Sequence, residues 1–177
     1  MSDSNLIAES AGAAGATARY SIGIDLGTTH CALSYVDRSA SDGDTVAQGV
    51  LDIPQLTGPA SVDAKPLLPS FLYLPHESEL TPADMALPWG AADGYVVGEF
   101  ARSRGAATPI RLVSSAKSWL CHPGVDRRAP LLPADAPAEV ARVSPLTASI
   151  RYLSHLRWAW DQAHPEAPFD AQDITVT

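Results

Sequence analysis

Lysine and cysteine are scarce in this chain, and each shortage narrows the functions that it can have. Lys65 and Lys117 are the only lysines, and 20 acidic residues against 12 lysines and arginines give a formal charge of −8. This charge is a poor match for the phosphate backbone of DNA, so we predict no nucleic-acid partner. Cys31 and Cys121 lie far apart in the sequence. They allow one disulfide at most, which favours a reducing compartment over a disulfide scaffold.

Long apolar runs and a P-loop are also missing from the 177 residues, whose number fits one domain. No segment has the roughly 20 apolar residues of a membrane-spanning helix. Residues 1–19 are rich in Ala, Gly and Ser and lack the basic segment of a secretory signal, so we predict a disordered leader. We therefore expect a cytoplasmic protein with no membrane partner. No GxxxxGKS or GxxxxGKT stretch occurs, which excludes a P-loop nucleotide site.

The stretch that organises the chain is residues 20–36, YSIGIDLGTTHCALSYV. Two β-prone runs flank a glycine corner, which predicts a strand, a tight turn and a second strand. Gly27 lets backbone N–H groups approach an anion closely, and the hydroxyls of Thr28 and Thr29 can bind phosphate oxygens. Asp25, just before the turn, is a hard oxygen ligand for Mg²⁺, held directly or through water. The pattern predicts a site for a phosphate and its magnesium ion.

The rest of the chain alternates predicted elements with proline-rich loops. A third strand is expected within residues 45–53, whereas the prolines and glycines of residues 54–69 predict no long regular structure. Three further strands are predicted, at residues 71–74, 95–97 and 173–177, and a helix is predicted at 99–105. A second helix is predicted at 108–121, begun by Thr108 and Pro109. A third helix is predicted from Ser144 and Pro145 to about Ala163, and its apolar face consists of Leu146, Ile150, Leu153, Leu156 and Trp160.

The phrase GIDLGTTHCALSYVD resembles the first phosphate-binding hairpin of the seventy-kilodalton, DnaK-type heat-shock chaperones. That resemblance implies an α/β fold, the ribonuclease-H-like first lobe of an actin-like ATPase with a mixed sheet. It assigns residues 20–177 to this lobe and residues of about 54–137 to a smaller α+β subdomain inserted in it. The nucleotide-binding domain would be incomplete in this chain.

Two further segments match the chaperone family in order and position. Lys117 lies in Ala116-Lys117-Ser118-Trp119-Leu120, and the resemblance implies that its ammonium reaches the γ-phosphate as the catalytic lysine. Relatives often have arginine where this chain has Ser118, and a solvated helix lysine is the alternative interpretation. Pro69-Ser70-Phe71 matches the junction that leads into the inserted subdomain, and it supports the family assignment without suggesting a chemical role.

The resemblance implies an ATP-binding and ATP-hydrolysing fragment of a molecular chaperone that supports protein folding when complete. ATP or ADP and Mg²⁺ would be its cofactors. Unfolded client proteins and co-chaperones would be partners through regions outside this chain. Two alternatives stay open, a lobe of a sugar or acetate kinase of the same superfamily and a non-catalytic interaction module. Because only one of two phosphate hairpins is present, we expect the isolated chain to bind ATP weakly and to be nearly inactive.

Overall fold

The computed structural model describes residues 18–91 and 94–177, and the elements named below all lie in these two ranges. Residues 1–17 of the predicted leader lie outside them. The strands are β1 (Tyr20–Leu26), β2 (His30–Asp37), β3 (Ala47–Val50), β4 (Ile53–Gly58), β5 (Ser61–Lys65), β6 (Leu68–Pro69), β7 (Leu72–Tyr73), β8 (Ala86–Leu87), β9 (Gly90–Ala91), β10 (Val96–Val97), β11 (Leu112–Val113) and β12 (Asp173–Val176). The α-helices are α1 (Glu99–Ala107), α2 (Ala116–Leu120) and α3 (Pro145–Ala163), and 3-10 turns occupy Pro109–Arg111 and Phe169–Ala171.

The largest sheet has the strand order β12-β1-β2-β3, and β6 pairs with the start of β2. Strand β1 runs antiparallel to β2 and parallel to β12, so the predicted α/β class with a mixed sheet is confirmed. The hairpin and the third strand also form where they were predicted. Alternate residues of β1 are buried, which gives the sheet one apolar face and one small, polar face.

Helix α3 covers the apolar face of the sheet. Ser144 begins the helix as predicted, because its hydroxyl accepts a hydrogen bond of 2.9 Å from the Thr147 amide. Trp160 is fully buried, and its indole N–H donates to the Ala167 carbonyl at 2.8 Å. Tyr20 contacts Trp160 edge-on with the ring centroids 5.0 Å apart. These contacts fix the angle of α3 on β1.

The apolar face predicted for α3 is partly wrong. Leu156 and Trp160 are buried as expected, but the side chain of Ile150 is 51% exposed. The buried stripe instead includes Tyr152 together with Ala148 and Ala159, and the two small alanines let the helix approach the sheet closely. Helical spacing of apolar residues therefore did not predict correctly which face of α3 is buried.

Residues 54–69 form more regular structure than their composition predicts. Strands β4 and β5 make an antiparallel hairpin, with Pro54 opposite Ala64. In a two-stranded hairpin each strand is an edge strand, so a proline is tolerated. Gln55 is fully buried in β4, and its side-chain oxygen accepts from the Glu99 amide at 3.0 Å. That bond caps helix α1, whose preceding residue, Gly98, has no side chain to do so.

The single helix predicted over residues 108–121 is wrong. The segment is divided into the 3-10 turn, strand β11 and the short helix α2. Val113 is buried and pairs with Leu72 of β7, so its segment forms backbone hydrogen bonds within a sheet and not within a helix. Ser115 then has a φ of 54°, in the left-handed region that non-glycine residues rarely adopt. Helix α1 begins at Glu99 as predicted and extends two residues beyond Gly105.

Two apolar cores occur in the described residues. The larger lies between the main sheet and α3 and also receives side chains from residues 68, 72, 74, 97, 113, 116 and 132. The smaller consists of Leu56, Tyr73, Met85, Val96, Phe100 and Ala101, all within the predicted inserted subdomain. None of the helices in the described ranges has the length and apolarity needed to span a membrane.

We expect the free energy of unfolding to depend on the charge state of His155. This residue lies on α3, and its ring nitrogen Nε2 is 2.9 Å from the Pro54 carbonyl. Burial lowers the pKa of His155 from 6.5 to about 4. The unfolded chain therefore binds more protons than the folded chain between these values, and stability falls as the pH falls through that window.

The pH dependence is measurable by urea unfolding followed through tryptophan fluorescence. Lowering the pH from about 7.5 to about 5.5 should cost the wild-type chain about 1 kcal/mol through His155. A His155→Gln variant keeps a donor for the Pro54 carbonyl and should lack that part of the loss. Equal pH dependence in the two proteins would contradict this assignment.

Candidate functional site

The turn between β1 and β2 consists of Gly27, Thr28 and Thr29. Both threonines are exposed at its tip. A Cβ on Gly27 would lie 2.2 Å from the His30 carbonyl oxygen, so the turn has room for glycine only. Thr28 makes no hydrogen bond within residues 18–91 and 94–177, which leaves its amide and its hydroxyl available to a ligand. The tip of the turn can therefore bind an anion.

Asp25 lies on the polar face of β1, two residues before the turn, and is exposed. It borders a surface depression of about 220 Å³, whose other lining residues are Gly23, Ile24, Ala32, Ser34, Thr175 and Thr177. The small side chains of Gly23 and Ala32 leave this space open beside the carboxylate. The described ranges contain no cluster of three or more His, Cys, Asp or Glu side chains able to hold a metal. A single carboxylate suits Mg²⁺, which keeps several of its waters and shares phosphate ligands.

Ser70 holds the turn in place from the opposite side. The Ser70 hydroxyl donates to the Gly27 carbonyl at 2.8 Å, and the Ser70 amide donates to the Thr29 carbonyl at 2.9 Å. Ser70 is buried at the junction of β6 and β7. Two bonds from one buried residue to both ends of a three-residue turn fix the turn's conformation.

The junction at Ser70 is itself tied to the core. The Tyr152 hydroxyl, on α3, donates to the Ser70 carbonyl at 3.1 Å. The Cys31 sulfur is 3.3 Å from the Ser70 hydroxyl oxygen. Burial raises the pKa of the Cys31 thiol, and the nearby Asp25 charge raises it further. The thiol is thus kept protonated, and it can donate to the Ser70 oxygen while Ser70 donates to Gly27.

Lys117 approaches the same end of the sheet from helix α2. Its ammonium nitrogen is 3.4 Å from the Thr177 carbonyl oxygen. That oxygen also accepts a 3.2 Å bond from the amide of Leu26, the residue that precedes the turn. The left-handed Ser115 sets the direction in which α2 begins, two residues before the lysine. Sparsely populated backbone conformations of this kind cluster at functional sites.

The fold therefore brings all five predicted site residues to one end of the β1–β2 hairpin. Asp25 and the three turn residues are local neighbours, whereas Lys117 arrives from a distant part of the sequence. Sequence reasoning gave Ser70 no chemical role and missed Tyr152. The Pro69-Ser70 pair at the start of a buried strand was the one available signal for Ser70. No protein-family model matches the chain, and no curated protein matches it.

We expect Ser70→Ala to loosen the turn and expose Cys31. The variant removes the bond to the Gly27 carbonyl and should lower the free energy of unfolding by about 1–2 kcal/mol. It should also speed the reaction of Cys31 with a thiol reagent such as iodoacetamide, because that thiol loses its partner. Cys121 is exposed and reacts first, so mass mapping of each labelled peptide separates the two thiols.

Ser34→Ala is the matched control for this variant. Ser34 is exposed on the polar face of β2, and its hydroxyl makes a long 3.4 Å bond to the Gly23 carbonyl. Its removal should change stability by less than about 0.5 kcal/mol and leave the Cys31 labelling rate unchanged. Equal effects of the two variants would show that Ser70 does not hold the turn.

Proposed function

We propose that residues 20–177 form the first lobe of an ATP-binding and ATP-hydrolysing domain of the DnaK chaperone type. The observation that carries this proposal is the position of Lys117. The Lys117 ammonium and the Leu26 amide both donate to the Thr177 oxygen, and Leu26 immediately precedes the Gly-Thr-Thr turn, whose threonines are exposed. A cation beside free turn donors is an arrangement suited to the terminal phosphates of a nucleotide.

The topology of the main sheet supports the same proposal. A three-stranded antiparallel meander is followed by a long helix and by a strand parallel to the first. This is the order implied for a ribonuclease-H-like lobe, and the strands and α1 between β3 and α3 would be its inserted subdomain. The Pro69-Ser70 junction and Lys117 favour the chaperone type over the sugar-kinase alternative.

The chemistry follows from the charge of each group. Thr28 and Thr29 would bind phosphate oxygens through their hydroxyls and backbone amides. Asp25 would hold the magnesium ion that accompanies ATP, directly or through water, and this ion supplies neutralisation of phosphate charge. Lys117 would move from the Thr177 carbonyl to the γ-phosphate and offset the charge that develops there during hydrolysis. Ser70 would keep the turn donors aimed at the phosphates.

This lobe alone offers only part of a nucleotide site. The depression beside Asp25, at about 220 Å³, is smaller than the 300–1,000 Å³ typical of enclosed ligand pockets. It also lies open on the sheet surface, where water screens charges. We therefore expect the 177-residue chain to bind Mg-ATP with a Kd of about 1 mM and to hydrolyse it at a barely measurable rate.

Titration of the ¹⁵N-labelled chain with Mg-ATP, followed by NMR, checks where the nucleotide binds. The amides of Gly27, Thr28 and Thr29 should shift most, and Lys117→Met should weaken binding by about fivefold to tenfold. The chain offers a matched control, because Lys65→Met removes the only other lysine. Shifts that avoid the turn, equal effects of the two lysine variants, or micromolar affinity of the isolated chain would each contradict the proposal.

The role of Asp25 has its own test. Asp25→Asn keeps the shape of the side chain and removes its charge. It should abolish the difference between ATP affinity with magnesium and with EDTA, a difference of about fivefold or roughly 1 kcal/mol at an exposed site. Asp52→Asn, at an exposed aspartate outside the site, should leave that difference unchanged. An Asp25→Asn variant with full magnesium dependence would remove Asp25 from the metal site.

A further inference from the structure

A groove of about 420 Å³ lies in the middle of the chain, between the 3-10 turn before β11, helix α2 and residues 132–136. Its volume is within the roughly 300–1,000 Å³ of small-molecule sites, and it is larger than the depression beside Asp25. The described residues that line it all belong to the range 109–136. None of them is part of the candidate phosphate site.

The walls of the groove are apolar and are held from behind. Trp119, on α2, is partly buried and packs on the larger core, whereas Ile110, on another wall, is 44% exposed. Leu132 lines the third wall, and its amide and carbonyl are bonded to Val143 at 2.9 and 2.8 Å. Because two of the walls are fixed before a ligand arrives, little ordering cost opposes binding.

Three polar side chains also line the groove, and none of them has a partner among the residues that the structure describes. They are the Asp135 carboxylate and the hydroxyls of Ser114 and Ser115. Ser115 occupies the N-cap position of α2, yet its side chain makes no capping bond there. Arg142 reaches the same loop, but it donates to the Ala136 carbonyl and makes no ion pair with Asp135. The groove therefore offers one free negative charge and two free hydroxyls.

We propose that this groove binds a small organic cation, in which an aromatic or branched apolar body carries a primary ammonium group. The apolar body lies between Ile110 and Trp119, where it is removed from water. The ammonium group has three N–H donors, and the Asp135 carboxylate and the two serine hydroxyls supply acceptors for them. The described lining residues include no lysine or arginine, so an anion would find no opposite charge in the groove.

Helix α2 separates the groove from the candidate phosphate site. Trp119 follows Lys117 by two residues, and at about 100° per residue the two side chains leave the helix on roughly opposite sides. Lys117 is 3.4 Å from the Thr177 oxygen, whereas Trp119 lines the groove. A nucleotide beside Lys117 would therefore leave the groove open, and so would a second lobe packed on the lysine side of α2.

Phenethylamine is a suitable probe, with phenethyl alcohol and phenylacetate as its neutral and anionic matches. Each is titrated into the ¹⁵N-labelled chain and followed by NMR through the indole N–H of Trp119, a signal that Trp119→Phe identifies. Phenethylamine should saturate with a Kd of about 1 mM, a value within reach of so small a ligand. Phenethyl alcohol should bind about fivefold more weakly because it lacks the charge, and phenylacetate more weakly still.

Asp135→Asn tests the charged part of the groove. Asp135 is exposed, so we expect the variant to fold normally. It should bind phenethylamine about fivefold more weakly than the wild type does, with its affinity for phenethyl alcohol unchanged. Glu139→Gln is the matched control, because it removes another exposed charge from outside the groove and should keep the full preference for the amine.

Ile110→Ala tests the apolar part of the groove. It should weaken the binding of phenethylamine and of phenethyl alcohol alike, by about threefold, because both lose the same apolar contact. Ile150→Ala changes a similarly exposed isoleucine on α3 and should alter neither affinity.

The proposal is overturned if the amine and the alcohol bind equally well, or if Asp135→Asn keeps the preference for the amine. Probe shifts at residues 27–29 and not at Trp119 would place the ligand elsewhere. A Trp119 shift that grows with protein concentration, without any probe, would show that a second copy fills the groove. The Mg-ATP titration is read at the turn and the amine titration at Trp119, so the failure of one proposal is distinguishable from the failure of the other.

Discussion

The parallel pairing of β12 with β1 is the constraint on which the rest of the structure depends. Parallel neighbours need a long connection, and here residues 27–172 supply it. That connection contains α3, which covers the apolar face of the sheet, and α2, which carries Lys117. Because parallel strands end at the same side of a sheet, the turn after β1 and the end of β12 become neighbours. Lys117 contacts Thr177, just after the end of β12, and therefore lies near the turn.

A second set of contacts makes the turn rigid. Ser70 bonds to Gly27 and Thr29, and Tyr152 bonds to Ser70, so the turn is connected through one buried residue to α3. Each bond alone contributes about 1 kcal/mol to stability. Their joint effect is to hold donor groups in one orientation before any ligand arrives. Pre-oriented donors stabilise charge at a site more effectively than donors that reorganise on binding.

Local sequence patterns predicted the elements whose stability is local. The hairpin and the start of α3 at Ser144 have turn and capping residues that specify them, and both form as expected. The predicted helix at 108–121 failed because Val113 pairs with Leu72, a tertiary contact that overrides helical propensity. The position of Lys117 near the turn depends on the pairing of β12 with β1, a long-range register that no spacing within the sequence predicts.

The two halves of the candidate site differ in how firmly they are held. The turn is fixed by bonds of 2.8 and 2.9 Å from Ser70, whereas Lys117 reaches the Thr177 backbone oxygen at 3.4 Å, beyond the usual range of a strong hydrogen bond. A phosphate carries more negative charge than the Thr177 oxygen and would attract that ammonium more strongly. The turn therefore supplies geometry and the lysine supplies a movable charge. In the proposed phosphate site, a group that followed charge developing on the phosphate would need this freedom, while donors that oriented the phosphate would need the opposite.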